Sequence, residues 1–151
     1  IEVNQLTKTF GSLNVLKNLS FQVPTGSWVS LTGPSGSGKT TLLGLLAGLD
    51  TPSSGVIRIH DSNLARLSED ERAEFRARNM GFVFQSFRLL PHLTAVENVE
   101  VPLQLLGHPD GRAIAAAMLT RVGFGDRLHH RPSELSGGEQ QRVAVARAFA
   151  A

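Results

Sequence analysis

The stretch Gly33-Pro34-Ser35-Gly36-Ser37-Gly38-Lys39-Thr40 matches the pattern G-x-x-x-x-G-K-[ST] and is the strongest fold signal in the sequence. An apolar run, Trp28 to Thr32, precedes it, and an apolar segment, Thr40 to Ala47, follows it. A strand, a glycine-rich loop and a helix in this order form the context in which the pattern binds phosphate. Because a chance match in a chain of this length has a probability on the order of 1 per cent, we interpret residues 33–40 as a phosphate loop.

The composition of the phosphate loop suits a nucleoside triphosphate. Its glycines allow successive backbone N–H groups to approach phosphate oxygens, helped by the N-terminus of the following helix. We expect Lys39 to place its charge on the β- and γ-phosphates and the Thr40 hydroxyl to bind Mg²⁺, a hard cation that prefers oxygen. The expected nucleotide contacts are Gly33, Pro34, Ser35, Gly36, Ser37, Gly38, Lys39, Thr40 and Thr41. The loop alone does not choose between a kinase, a GTPase and a transporter motor.

A second motif, Leu135-Ser136-Gly137-Gly138-Glu139-Gln140-Gln141-Arg142, lies about a hundred residues further on. Ser136 and Glu139 fit a capping box at the start of a helix predicted over about 139–150. One phosphate site does not require two anion-ready helix N-termini, but two are useful if the second faces a nucleotide held by a partner chain. The alternative is a simple capping box in a glycine-rich loop.

With these motifs the chain resembles the nucleotide-binding subunit of an ABC transporter. Residues 135–148, LSGGEQQRVAVARA, are similar to the ABC signature, and residues 33–43, GPSGSGKTTLL, to the family's phosphate loop. Residues 81–99, GFVFQSFRLLPHLTAVENV, resemble the glutamine-loop segment. The sequence of this segment is most similar to that of the lipoprotein-release and macrolide-export branch of exporters. The resemblance covers essentially all 151 residues.

The resemblance implies roles for individual residues. Phe10 falls where an aromatic ring stacks on adenine, and Gln85 falls where a glutamine contacts Mg²⁺ and the attacking water. Lys39 and Gln85 are therefore the expected catalytic residues, and Thr40 and Gln85 the expected metal ligands, with ATP and Mg²⁺ as cofactors. The trans nucleotide contacts, made to the γ-phosphate of ATP in the opposite subunit, are Ser136, Gly137 and Gly138.

The implied fold is α/β: a P-loop NTPase core of the RecA-like kind, with an antiparallel β subdomain and a helical insert. Residues 1–87 would form the β subdomain and phosphate-loop core, about 88–133 the insert, and 134–151 the signature motif and its helix. Strands are predicted over Glu2–Thr9, Leu19–Val23, Trp28–Thr32, Val56–Ile59 and Gly81–Phe84. Capping boxes predict helix starts at Ser68, Thr94 and Ser136, and a further helix is predicted over about Gly111–Val122.

The family continues, beyond the position of Ala151, into a strand ending in Asp-Glu and then a switch histidine. We therefore expect the sheet to be incomplete and the chain to be truncated after the signature helix. We also expect these 151 residues alone to bind Mg·ATP weakly or not at all and not to turn it over. We expect Glu139 to be a capping residue. We assign no histidine to the switch position, because every histidine of the sequence precedes it; they are His60, His92, His108, His129 and His130.

Composition excludes several classes of protein. There are 15 Lys and Arg against 13 Asp and Glu, and the arginines form no basic run, so we expect no nucleic-acid partner. The absence of Cys excludes a disulfide framework, a thiol nucleophile and a cysteine zinc site. The longest strongly apolar stretch, Leu42 to Leu49, is far shorter than the ~20 residues of a membrane helix.

These expectations favour an ATPase that energises an ABC-type membrane exporter through ATP-driven dimerisation and hydrolysis. Its partners would be transmembrane permease subunits and a second ATPase subunit, bound head to tail. It would be cytoplasmic and peripheral, at the cytoplasmic face of the inner membrane, with a docking patch drawn from Phe87, Leu89, Leu90 and Leu93 unless these pack in the core. The alternatives are a truncated nucleotide-binding module without hydrolysis and a soluble ABC ATPase not tied to transport.

Overall fold

The first of two compact units, Ile1–Glu74, is built on an antiparallel sheet in a computed structural model that describes residues 1–150. The strands are β1 (Glu2–Phe10), β2 (Leu13–Gln22), β3 (Ser54–Ile59) and β4 (Ser62–Asn63), in the order β2-β1-β3-β4. The central strand β1 pairs with both β2 and β3. The predictions for the strands at residues 2–9 and 56–59 are confirmed, whereas β2 is longer than the predicted segment 19–23.

Helix α1 (Lys39–Leu46) begins at the end of the phosphate loop and follows the predicted segment closely. Its buried side chains, Leu42 and Leu45, belong to the apolar core of the first unit. The sheet contributes the rest of this core, which includes Val3, Leu6, Leu16, Ile57 and Ile59. Burial of α1 therefore fixes the direction in which the phosphate loop enters the helix.

The second unit begins at Phe75 and is helical. Helices α3 (Ala95–Leu105), α4 (Gly111–Arg121) and α5 (Gly137–Ala148) pack on one another around an apolar core. The most buried core residues include Ala95, Val96, Val99, Leu103, Ala115, Leu119 and Val143. Helix α2 (Glu69–Asn79) contains the boundary between the two units.

All three predicted capping boxes are present. Ser68 precedes α2, and its N–H donates to Glu71 Oε2 at 2.7 Å. Thr94 and Ser136 are the N-caps of α3 and α5, each with a glutamate three residues on that completes the box. The signal is local, because cap and glutamate lie within one turn, and this is why the sequence alone located the helix starts.

Two strand predictions are wrong: neither Trp28–Thr32 nor Gly81–Phe84 is in a strand. Trp28 is 98% exposed. A strand forms only where a neighbour supplies the hydrogen-bonded ladder, and among residues 1–150 neither run pairs with another segment. An apolar run predicts burial but does not identify its partner. None of the helices within residues 1–150 has the length and apolar character to span a bilayer.

Candidate functional site

The phosphate loop is an exposed turn that ends in the first residue of α1. Ser37 N–H donates to the Pro34 carbonyl at 3.3 Å and closes the turn. Lys39 folds back over it: Nζ donates to the Gly33 and Pro34 carbonyls at 2.8 and 2.6 Å. The ammonium group therefore lies against the loop and not in open solvent. Phosphate oxygens bound in the loop would meet it there.

Gly38 fixes the loop against the sheet. Its φ is +86°, in the left-handed region that favours glycine, and it is the N-cap of α1. A Cβ at this position would lie 2.9 Å from Leu16 Cδ2 and 3.1 Å from Val15 Cγ1. The close approach to β2 thus requires glycine for reasons of space as well as of backbone angle.

The N-terminus of α1 lacks the side-chain cap that α3 and α5 have. Within residues 1–150 no side chain hydrogen-bonds to it as a cap, so the first-turn amides are left for water or an external anion. Thr40 and Thr41 are the second and third residues of this helix, and Thr40 is exposed. An exposed hydroxyl oxygen beside an anion site could serve as one ligand of Mg²⁺, with phosphate oxygens as further ligands.

Phe10 lies at the end of β1 in the same unit and is 50% exposed. The Nζ atom of Lys8 lies over its ring, 4.7 Å from the centroid. The ring is therefore neither buried in the core nor loose in solvent. A half-exposed, oriented aromatic ring is suited to stack on a flat ligand.

Gln85 is exposed and lies in a turn of the second unit that the Phe87 N–H closes by donating to the Phe84 carbonyl at 2.9 Å. The guanidinium of Arg147, in α5, donates to the carbonyls of Phe87 and Arg88, both at 2.8 Å. The glutamine-loop segment is thus attached to the C-terminal part of α5.

The signature residues Ser136, Gly137 and Gly138 are exposed at the N-terminus of α5. The Ser136 hydroxyl and N–H donate to Glu139 Oε2 at 2.7 and 2.8 Å, and these hydrogen bonds hold the pKa of the Glu139 carboxyl below its usual value. Arg127 donates to the other carboxylate oxygen at 3.0 Å. Glu139 is therefore a capping residue, as expected, rather than a poised base.

The structure thus groups the site residues in two sets. Phe10 and the phosphate loop belong to the first unit, and Gln85 and the signature belong to the second. Within the second unit, the glutamine-loop segment contacts one end of α5 and the signature occupies the other. Because α5 has 12 residues, its ends are about 18 Å apart. One helix therefore joins the two predicted contact points of the second unit.

The predicted docking patch is only partly exposed. Leu90 is 45% exposed, whereas Phe87, Leu89 and Leu93 are half-buried. Leu89 packs against the helical core. Core packing therefore accounts for Leu89, and Leu90 is the exposed apolar residue of the segment; docking to a membrane subunit stays a prediction.

Sequence reasoning did not single out three polar residues that hold segments of this region: Lys8, Asn98 and Arg147. Asn98, which is fully buried, accepts from the Leu90 N–H and donates to the carbonyls of Leu90, Leu93 and Thr94. The sequence contained a signal for Asn98: it is an amide within the apolar face of a predicted helix, and a buried amide needs hydrogen-bond partners inside the protein. Lys8 and Arg147 carried no such signal.

Comparison with known proteins identifies the family of the chain. Residues 16–151 match the sequence profile of a family described as ABC transporter. The chain is 49% identical to the lipoprotein-releasing system ATP-binding protein of Bacteroides fragilis, over 99% of this chain and 70% of that protein. It is 48% identical to the macrolide export ATP-binding/permease protein of Syntrophobacter fumaroxidans, over 99% of this chain and 22% of that protein.

A solved structure shares the fold. It is a dimeric ATP-binding cassette in a post-hydrolysis state bound to ADP and Pi, with a TM-score of 0.88 and 39% identity. The match covers 99% of this chain and 68% of that one. These relatives confirm the predicted α/β fold class, the family resemblance and its lipoprotein-release and macrolide-export-like branch.

Proposed function

The chain belongs to the ABC transporter family of ATPases, and we propose that it energises a membrane exporter through ATP-driven dimerisation and hydrolysis. The observation that carries the proposal is the state of the phosphate loop. Lys39 Nζ lies 2.6–2.8 Å from two carbonyl oxygens of the loop. The loop leads into the N-terminus of α1, which no side chain within residues 1–150 caps. A cationic loop joined to free helix amides is built for a polyphosphate.

Each loop residue then has a chemical task. Lys39 would move from the loop carbonyls onto phosphate oxygens and neutralise their charge. The Thr40 hydroxyl would hold Mg²⁺, which spreads the charge of the phosphates when it is bound. Gln85 would orient the attacking water, and Phe10 would carry the adenine ring. Phosphoryl transfer needs such positioning and charge stabilisation more than covalent chemistry from the protein.

The signature would act on a second copy of the chain. Ser136, Gly137 and Gly138 are exposed at an α-helix N-terminus, where backbone amides and the helix dipole favour an anion. In a head-to-tail dimer they would contact the γ-phosphate of ATP held by the phosphate loop of the partner. The dimeric state of the solved relative, which holds ADP and Pi, supports this arrangement.

The second unit would transmit the closure to transmembrane permease subunits at the cytoplasmic face of the membrane. The exposed side chain of Leu90 and the attachment of the glutamine-loop segment to Arg147 support this role. Relatives named for lipoprotein release and macrolide export support export as the process.

The test is a titration of the full-length protein with Mg·ATP. Lys39→Ala removes a charge-assisted contact worth about 1.5–3 kcal/mol, so affinity should fall roughly ten- to a hundredfold. Lys17→Ala, on an exposed lysine of β2, is the matched control and should bind as the wild type does. Wild-type affinity in Lys39→Ala would contradict the assignment of the loop.

A further inference from the structure

The ammonium group of Lys8 is held by a small polar cluster in the first unit. Nζ lies 2.7 Å from both carboxylate oxygens of Asp50 and donates to the Thr51 carbonyl at 2.8 Å. Lys8 is only 8% exposed, although it is charged. Because a lysine is seldom buried without partners, these contacts fix the ammonium in one place.

The same ammonium covers one face of the Phe10 ring, at 4.7 Å from its centroid. This distance is within the ~6 Å over which a cation attracts an aromatic face. Lys8 and Phe10 are two residues apart on β1 and so share a face of the strand. With one face occupied and half of the side chain exposed, the ring offers its opposite face to a ligand.

Two connections relate this pair to the phosphate loop. Lys8 lies opposite Leu16 in the β1–β2 register, and Leu16 Cδ2 is the atom closest to the Cβ position of Gly38. Asp50, the ion-pair partner of Lys8, follows the other end of α1. Lys8 is therefore connected to the start of α1 through its strand partner, and to the segment that follows α1 through its ion pair.

The spacing of the strands places Phe10 at a useful distance from the loop. Phe10 pairs with Leu13 at the tip of the hairpin, whereas Val15 and Leu16 contact the Gly38 position. Two to three residues of strand separate these points, or about 7–10 Å. A ligand that lies on the phosphate loop and extends along the hairpin would therefore present its far end to the ring.

From these contacts we propose that Lys8 is a positioning residue, which holds the Phe10 ring flat against the base of a nucleotide whose phosphates occupy the loop. The inference rests on the proposed function and extends it. Lys8 acts through Phe10, and it touches neither the base nor the phosphates. It should therefore strengthen the binding of a nucleotide but not of a phosphate chain that lacks a base.

The experiment compares Mg·ATP with inorganic tripolyphosphate, by calorimetric titration of the full-length protein. Lys8→Met should weaken ATP binding about three- to tenfold, because the nucleotide must then order a ring that one cation–aromatic contact holds in the wild type, and leave tripolyphosphate binding unchanged. Lys17→Met, on an exposed lysine, should change neither affinity. In a Phe10→Ala background, Lys8→Met should have no further effect on ATP. Lys8→Arg should restore the preference for ATP, because the guanidinium also stacks on aromatic rings.

Two results would overturn the inference alone. One is an equal loss of affinity for both ligands in Lys8→Met, and the other is an undiminished effect of Lys8→Met in the Phe10→Ala background. If Lys8→Met does not fold, Asp50→Asn, which keeps Lys8 but removes its charged partner, should weaken ATP binding selectively, and an unselective or absent effect overturns the inference. A wild-type protein that binds neither ligand would overturn the proposed function as well.

Discussion

The Ser136 hydroxyl donates a hydrogen bond to Glu139 at the start of α5, with 2.7 Å between Ser136 Oγ and Glu139 Oε2. The Ser136 N–H donates to the same oxygen, and the Glu139 N–H lies 3.4 Å from Ser136 Oγ. The hydroxyl proton is thus engaged within the helix cap. A phosphate at this position would be met first by the backbone amides of Gly137 and Gly138, and by the Ser136 hydroxyl only if it turns away from Glu139.

Substitutions of Ser136 can therefore separate capping from phosphate contact. Aspartate caps a helix about as well as serine, whereas alanine loses about 0.5–2 kcal/mol. We expect Ser136→Ala to lower the melting temperature and Ser136→Asp to retain it in a Glu139→Gln background, where the new carboxylate faces an amide instead of a second carboxylate. Both variants should lose ATP-dependent dimerisation, Ser136→Asp because its charge repels the γ-phosphate. Thermal unfolding and sedimentation with Mg·ATP measure the two effects.

Two outcomes would contradict this account. An unchanged melting temperature in Ser136→Ala would mean that the cap does not stabilise α5. Normal ATP-dependent dimerisation of Ser136→Asp would mean that Ser136 does not face a phosphate.

The protein should lose stability in acid, because glutamates such as Glu97 cap its helices in the charged form. Hydrogen bonds from the Thr94 hydroxyl and N–H lower the pKa of Glu97 from its ordinary value of 4.5. A depressed pKa favours the charged form in the folded state, so this contribution to stability is complete above pH 4.5 and is lost as the pH falls through the lower, folded value. In urea unfolding, Glu97→Gln should reduce the steepness of this acid loss.

Thr94→Val is the matched partner in that experiment. Because both substitutions break the same contact, their effects on the free energy of unfolding at neutral pH should be less than additive. Strict additivity, or a Glu97→Gln variant with the wild-type pH dependence, would show that the Thr94–Glu97 pair is not the source of the acid sensitivity.

Two glycines of the phosphate loop should respond differently to alanine. Gly36 and Gly38 have φ of +78° and +86°, but a Cβ at Gly36 meets nothing within 4 Å, whereas one at Gly38 meets β2. Gly36→Ala should therefore lower the free energy of unfolding only by the cost of the left-handed backbone conformation, about 1–2 kcal/mol. Gly38→Ala should lower it distinctly more. Gly44→Ala, within α1 and in open space, should gain about 0.5–1 kcal/mol. Urea unfolding gives the order, and equal losses at Gly36 and Gly38 would contradict it.

The sequence predicted those parts of the fold whose signals lie within one turn or one loop. Caps such as Thr94 and Ser136 and the phosphate loop are contiguous, so their residues could be recognised together. The apolar runs at 28–32 and 81–84 were misassigned as strands because a strand depends on a ladder partner, which need not be close to it along the chain. Periodicity describes which residues prefer burial but not which segment pairs with which.

The site shows the same division. The contiguous motifs indicated Lys39, Thr40 and Ser136 without knowledge of the fold. The contacts of Lys8 with Asp50 and of Arg147 with Phe87 join residues 42 and 60 positions apart. No local pattern encodes such pairs, because the chain brings them together only when the sheet and the helices pack.

Arg147 supports the last prediction, on the glutamine-loop segment. Its two guanidinium hydrogen bonds reach the carbonyls of Phe87 and Arg88, whose φ values are +57° and +46°. Such angles cost about 1–2 kcal/mol in a residue with a side chain, and the two hydrogen bonds from one guanidinium group offset that cost. Lysine keeps the charge but lacks the planar fork. Arg147→Lys should therefore release the segment and, with it, Gln85.

Released amides exchange faster with solvent. The loss of a charge-assisted hydrogen bond, about 1.5–3 kcal/mol, predicts roughly ten- to a hundredfold faster hydrogen exchange at residues 85–90 in Arg147→Lys. In the full-length protein kcat should fall while the affinity for ATP stays near wild type, because the phosphate loop belongs to the first unit. Arg121→Lys, at the exposed end of α4, is the control and should change neither. Unchanged exchange in Arg147→Lys would show that the segment holds its conformation without the fork, and an equal loss of ATP affinity would place the effect of Arg147 outside the glutamine loop.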